Sequence, residues 1–157
     1  MLPIVALAGL GGFLWWAFKE DHPSAFISFA AEDAKYRSFL VEQSKREGTP
    51  FKFRDYSLHE PFSNAWKTQT REIIRSSDVV IVMIGTDTHR AQGACWEIKT
   101  ARDEGVYVFG IHINKNPKGK LPRELAFCRV TEWTHEGIAE EMRRAADYRQ
   151  RKSADQS

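Results

Sequence analysis

Cysteine is nearly missing from this chain: 157 residues contain two, Cys95 and Cys128, far apart and with no CxxC or Cys/His ligand spacing. Neither a metal site nor a disulfide framework is therefore expected, and a reducing compartment is the simpler reading. Runs of one charge are also scarce. The 23 basic and 21 acidic side chains are interspersed and leave a formal net charge of +2, so no block is dense enough to track phosphates. Nucleic acid is not an expected partner. No GxSxG elbow occurs, which removes support for Ser-His-Asp acyl transfer.

What the chain does have is a long apolar start, "MLPIVALAGLGGFLWWAFKE", with no charged side chain before Lys19. About 18 residues at roughly 1.5 Å each just span a hydrocarbon core of about 30 Å. Trp15 and Trp16 suit an interface. A cleaved signal peptide would need a basic n-region and an A-x-A site, and neither is present. The expectation is a transmembrane anchor over residues 1–20, entering the membrane through residues 2–18. Ala8 and Gly12 form a small-xxx-small pair that would let two anchor helices approach. Lys19, Lys35 and Arg37 follow the run while only the α-amino group precedes it. That bias predicts a single pass through the inner (cell) membrane, with the rest facing the cytoplasm. The "GLGG" within this run follows no strand and is not a dinucleotide fingerprint.

From residue 24 short apolar runs alternate with longer amphipathic segments, the pattern of βαβ units around a parallel sheet. "AFISF" (25–29) reads as a first strand, followed by a helix from about Asp33 to Glu47 and a stop at Gly48 and Pro50. "FKFRDY" (51–56) alternates like a half-exposed edge strand. A helix around Trp66, Ile73 and Ile74 leads to "DVVIVMIG" (78–85), apolar enough to be central and covered on both faces. A helix from "GACWEIKTARDEG", then "VYVFGIHI" (106–113), "CRVTEW" (128–133) and a closing helix to about Arg151 complete the series. In the last helix Glu140 and Arg144 sit at pairing distance on the surface. The expected domain spans residues 24–151 and a flexible tail spans 152–157. Its fold class is α/β, a flavodoxin-like five-stranded parallel sheet of order 2-1-3-4-5 flanked by helices.

In that order the switch point lies between the first and third strands, and ligands bind at the carboxyl ends there. The segments that converge are "FAAED" and "GTDTHRAQGACWE", which carry Phe29, Ala30, Asp33, Gly85, Thr88, Trp96 and Glu97. The third strand closes on Ile84 and Gly85, so the phosphorylatable Asp of a receiver domain is absent. "AAED" offers acid where a flavin phosphate wants NH groups and hydroxyls.

Three blocks in order carry a family resemblance. "SAFISFAAED" resembles the first box of Toll/interleukin-1 receptor (TIR) domains, and "FRDYSLHEP" the second. "SSDVVIVMIGTDTHRAQGACWEIKTARDEGVYVFGIHI" is similar to the strand, loop and Trp-Glu helix of bacterial TIR-like proteins, including the Thoeris anti-phage sensor subunit. The resemblance covers roughly residues 24–133 and departs at the second box, which lacks the usual Pro-Gly tip. It implies cleavage of NAD+ at the nicotinamide ribosyl bond, with NAD+ as substrate, no separate cofactor, and an ADP-ribose-type product sensed by a downstream effector. It also implies self-association, and it places the family's catalytic glutamate on Glu97.

The chemistry is coherent on elementary grounds. Departing nicotinamide leaves an oxocarbenium-like ribosyl centre that one carboxylate can stabilise, and a cationic leaving group needs no general acid. A Glu early in a helix is also favoured by the dipole alone. Phe29, Asp33, Asp55 and Ser57 lie on loops where a dinucleotide could stack or hydrogen-bond, and Asp33 is equally placed to cap its helix. Trp96 reads either as core or as a substrate platform. His89 reads as an exposed loop residue or a phosphate-steering one, and Cys95 as a packed small residue or a thiol activated by the helix N-terminus. The competing function is a TIR-like module that binds a nucleotide or another TIR domain without turning anything over.

Overall fold

"VVIVMI", residues 79–84, contains no polar side chain, and every one of its residues is buried, so it occupies the middle of a sheet covered on both faces. It is the third of five parallel strands: β1 Ser24–Ser28, β2 Lys52–Phe53, β3 Val79–Ile84, β4 Tyr107–His112 and β5 Arg129–Glu132, in the order β2-β1-β3-β4-β5. The computed structural model describes residues 23–46, 52–53 and 63–157. Four of the strands have four to six residues. β2, read from the sequence as residues 51–56, is described at Lys52–Phe53, which pair with β1 through Ser24–Lys52 and Ala25–Phe53; residues 51 and 54–56 lie outside the described residues.

Four helices flank the sheet among the described residues: α1 Ala34–Arg46, α2 Asn64–Arg75, α3 Gln92–Asp103 and α4 His135–Asp155. Alternation along the strands divides the core into two layers. Ala25, Ile27, Ile81, Met83, Phe109 and Ile111 pack with Leu40 of α1 and with Ile138, Met142 and Ala145 of α4. Phe26, Val80, Val82 and Ile84 face Ile74 of α2 and Ile98 and Ala101 of α3. α2 begins where the Ser63 side chain accepts a hydrogen bond from the Trp66 amide at 3.0 Å, and Thr134 does the same for Gly137 in α4. The surface pair in α4 forms as expected, with Arg144 Nε 3.2 Å from Glu140 Oε1.

Two expectations change. α4 runs to Asp155, past the predicted end near Arg151 and into the predicted tail. Tertiary contacts hold it there, since Lys152 Nζ donates to the Gly105 carbonyl at 2.9 Å and Tyr148 OH to the same oxygen at 3.3 Å. The larger correction concerns the membrane. Among the described residues no helix is long and apolar enough to cross one. The longest, α4 with 21 residues, carries Glu, Arg, Lys and Asp along its length, which hydrocarbon would not accept. The expected single-pass placement in the inner membrane is therefore withdrawn, and the apolar run of residues 1–20 lies outside the described residues.

Candidate active site at the carboxyl ends of β1 and β3

Ser28 ends β1 on the same face as Phe26, which is the face that α3 covers. Glu97 lies in the second turn of α3 and turns inward, leaving 8% of its surface accessible. The two meet: Ser28 Oγ donates to Glu97 Oε2 at 2.5 Å, across 69 residues of sequence. Among the described residues this hydroxyl is the hydrogen-bond partner of Glu97, and no cation lies within ion-pair distance. Burial pushes the carboxyl up to about 7, against the smaller downward pull of the Ser28 bond. A carboxylate at that value is partly ionised near neutrality and poorly solvated, a state suited to binding hydroxyls or facing developing positive charge.

The opposite wall comes from the turn between β1 and α1. Phe29 is half-buried, Ala30 is 1% exposed, and the 3-10 turn Ala31–Asp33 carries Asp33 in from the α1 side. Gly85, the residue after β3, sits under the Asp33 carboxyl so closely that a Cβ there would meet Asp33 Cγ at 2.8 Å. Only glycine leaves that space free. The Asp33 pKa is raised, by burial first and then by the charges of Glu32 and Asp87, with Lys35 opposing. Thr88 is fully buried and holds the same turn, accepting from the Gly85 amide at 2.8 Å and donating to the Met83 carbonyl at 3.2 Å. From the far side, Gly119 of the Lys/Pro/Gly loop approaches the Gly85 carbonyl with no room for a side chain.

The marked residues thus fall in two groups at the carboxyl ends of β1 and β3: Glu97 lies against Ser28, while Asp33, Gly85 and Thr88 hold the turn after β3, and Phe29 and Ala30 follow β1 directly, Phe29 packed on the layer of Ile27 and Ile81. Trp96 points elsewhere. Its ring lies 4.9 Å from that of Trp66, tilted at 45°, with the Lys67 and Arg71 cations over it at 5.9 and 5.8 Å. It therefore joins α3 to α2, which matches the packing alternative. Asp55 and Ser57 lie outside the described residues. The activated-thiol alternative for Cys95 does not hold, because burial and then Glu124 push its thiol up to about 11. Its Sγ lies 3.6 Å from the carbonyls of Thr88 and His89.

Sequence reasoning missed Ser28. The alternation of β1 carried the signal, since it puts Ser28 and Phe26 on one face and so toward α3. His112, which ends β4, was also missed. Its Nδ1 is buried without a partner among the described residues, and its pKa is lowered by burial first and then by Lys118.

Comparisons with known proteins agree with this architecture. Residues 26–118 match the family model described as Thoeris protein ThsB, TIR-like domain. Among solved structures the chain is similar to the TIR domain of a Toll-related receptor from Hydra magnipapillata, with 19% identity and a TM-score of 0.54 over 80% of this chain and 97% of that one. It is likewise similar to a prokaryotic SEFIR domain, with 16% identity and a TM-score of 0.51 over 80% and 97% of the two chains. At such identities these likenesses speak for the fold alone. No curated protein matches.

Proposed function

The chain belongs to the TIR-like domain family of the Thoeris protein ThsB, and on that premise we propose that it cleaves NAD+ at the nicotinamide ribosyl bond, with Glu97 as the catalytic carboxylate. The observation that carries the reading is the buried Glu97 carboxyl at the carboxyl end of β1, bonded to Ser28 alone among the described residues and held near 7. NAD+ is the substrate, and the reaction as written needs no cofactor.

In this mechanism the bond from C1′ to the pyridinium nitrogen breaks and its electron pair stays with the ring, which leaves as neutral nicotinamide. Ionised Glu97 faces the ribosyl cation and accepts from the ribose hydroxyls, so its charge is used where positive charge develops. Water bonds to C1′ and loses a proton, giving ADP-ribose; capture by a nucleophile of the same molecule gives a cyclic product instead. Burial strengthens the electrostatic effect, because little water competes for the carboxylate. An ADP-ribose-type product serves an anti-phage or signalling response through an effector that senses it, and self-association belongs to the same proposal.

The test is release of nicotinamide from NAD+ by the full chain and by Glu97→Gln. Loss of release in a folded variant supports the catalytic reading. Equal release by both forms removes Glu97 from the chemistry, and NAD+ binding without release by either form favours a recognition module.

A further inference from the structure

We propose that Asp33 is a second recognition carboxyl in the crevice, which takes the ribose hydroxyls of the adenosine half of the dinucleotide and turns away a 2′-phosphorylated one. The inference rests on reading the crevice as a dinucleotide site and adds to it the substrate preference. Asp33 is 9% exposed, and its Oδ2 is buried with no hydrogen-bond partner among the described residues. Buried polar atoms are rarely left so, and a hydroxyl of a bound ligand is a donor that would satisfy this acceptor. The residue is not idle packing, because Gly85 lacks a side chain where the Asp33 carboxyl sits, within 2.9 Å of the position a Cβ would take.

In this proposal the two carboxyls serve different halves of one ligand. Glu97 extends from α3 onto Ser28 at the end of β1, whereas Asp33 extends from the turn before α1 onto Gly85 at the end of β3. With Glu97 at the ribose that is cleaved, the hydroxyls left for Asp33 are those of the other ribose. A carboxylate is an acceptor and ribose hydroxyls are donors, so the pairing is chemically matched. A phosphate in place of the 2′-hydroxyl would bring a charge of about −1.5 to −2 against it. The surroundings reinforce the refusal: Glu32 and Asp87 are the other charges acting on Asp33, and the one cation among its influences, Lys35, is drawn over the Tyr36 ring at 5.0 Å. The preference is thus for NAD+ over NADP+, by repulsion as well as attraction.

Binding of NAD+, NADP+ and an NAD+ analogue with 2′-deoxyadenosine is measured on the full chain carrying Glu97→Gln, which isolates recognition from turnover. The expected result is binding of NAD+ at least about 10-fold tighter than of either analogue, the loss typical of an unsatisfied charged hydrogen-bond partner. Adding Asp33→Asn weakens NAD+ binding by a similar factor and narrows its advantage over NADP+. Gly85→Ala, which displaces the same carboxyl without deleting it, gives the same pattern and guards against a special effect of the Asn side chain. In chains with Glu97 intact, Asp33→Asn raises KM for NAD+ more than it lowers kcat. Equal binding of NAD+ and NADP+, or an Asp33→Asn variant that binds NAD+ unchanged, overturns the role of Asp33 and leaves the Glu97 reading standing. A chain that neither binds nor cleaves NAD+ overturns both.

Discussion

Among the described residues glutamate is buried twice, at opposite ends of the sheet, and the two sites are built differently. At the amino ends of β4 and β5, Glu141 is 3% exposed and surrounded by partners: Tyr107 OH donates to it at 2.9 Å and Arg129 Nε at 2.6 Å. At the carboxyl end of β1, Glu97 is 8% exposed and has the Ser28 hydroxyl alone among the described residues. One charge is neutralised where it sits; the other is left raised, to about 7. A fold that only needed to tolerate a buried carboxylate would provide a cation, as it does for Glu141. Leaving Glu97 without one costs stability, and carboxyls displaced in this way concentrate at functional sites.

The sharpest way to break this comparison is to neutralise both residues and read the rate. Glu97→Gln is expected to lower NAD+ turnover by about 100-fold to 1,000-fold, the usual loss for one preorganised electrostatic group. Glu141→Gln is expected to leave turnover within about threefold of wild type, because the packing of α4 against β4 touches no reacting atom. Steady-state nicotinamide release on both variants decides it, and comparable losses would show that the two glutamates act through the fold alone.

Stability should separate the pair in the opposite sense. The folded-state pKa of Glu97 is about 7 against an ordinary 4.5, so the native state holds a proton that the unfolded chain has released between those values. Stability attributable to Glu97 is therefore full below about pH 4.5 and is lost as pH rises through about 7, by roughly 3 kcal/mol in all. Urea unfolding of Glu97→Gln across this range should show that loss removed, leaving the variant more stable than wild type at pH 8. A variant that follows the wild-type pH curve would mean that Glu97 is solvated.

Glu141→Ala should do the reverse and destabilise the fold at pH 7 by about 1 to 3 kcal/mol, since it strips Tyr107 OH and Arg129 of their acceptor. The figure is held down by Arg129, which is itself half exposed. The mildest probe is Ser28→Ala. Its hydroxyl is the one influence that lowers the Glu97 pKa, so its removal shifts the acid limb of kcat/KM for NAD+ to higher pH. An unmoved limb would detach that limb from Glu97.

Much of this architecture was legible from one dimension. Strand burial and helix period are local properties, and β3, β4 and β5 begin and end within a residue of where the apolar runs put them. Of the edge strand read from "FKFRDY", Lys52–Phe53 pair with β1, and the rest lies outside the described residues. Strand order put Asp33, Gly85 and Glu97 near the carboxyl ends of β1 and β3, where their contacts with one another or with Ser28 are found. The sequence left Trp96 open between core and platform, and its contact with Trp66 decides for the core. It likewise placed Cys95 near a helix start, a position that favours a lowered thiol pKa, but burial and then Glu124 raise it.

By itself, then, the sequence determined that a parallel α/β sheet would form and that Glu97 would stand in the helix beside its switch point, since periodicity and chain order suffice for both. Tertiary structure alone decided that Glu97 faces inward onto Ser28, 69 residues away, and that Asp33 closes over Gly85 with an oxygen unpaired. Those facts set the charge state of the site. They depend on desolvation and on neighbours brought from other strands, which no local pattern encodes.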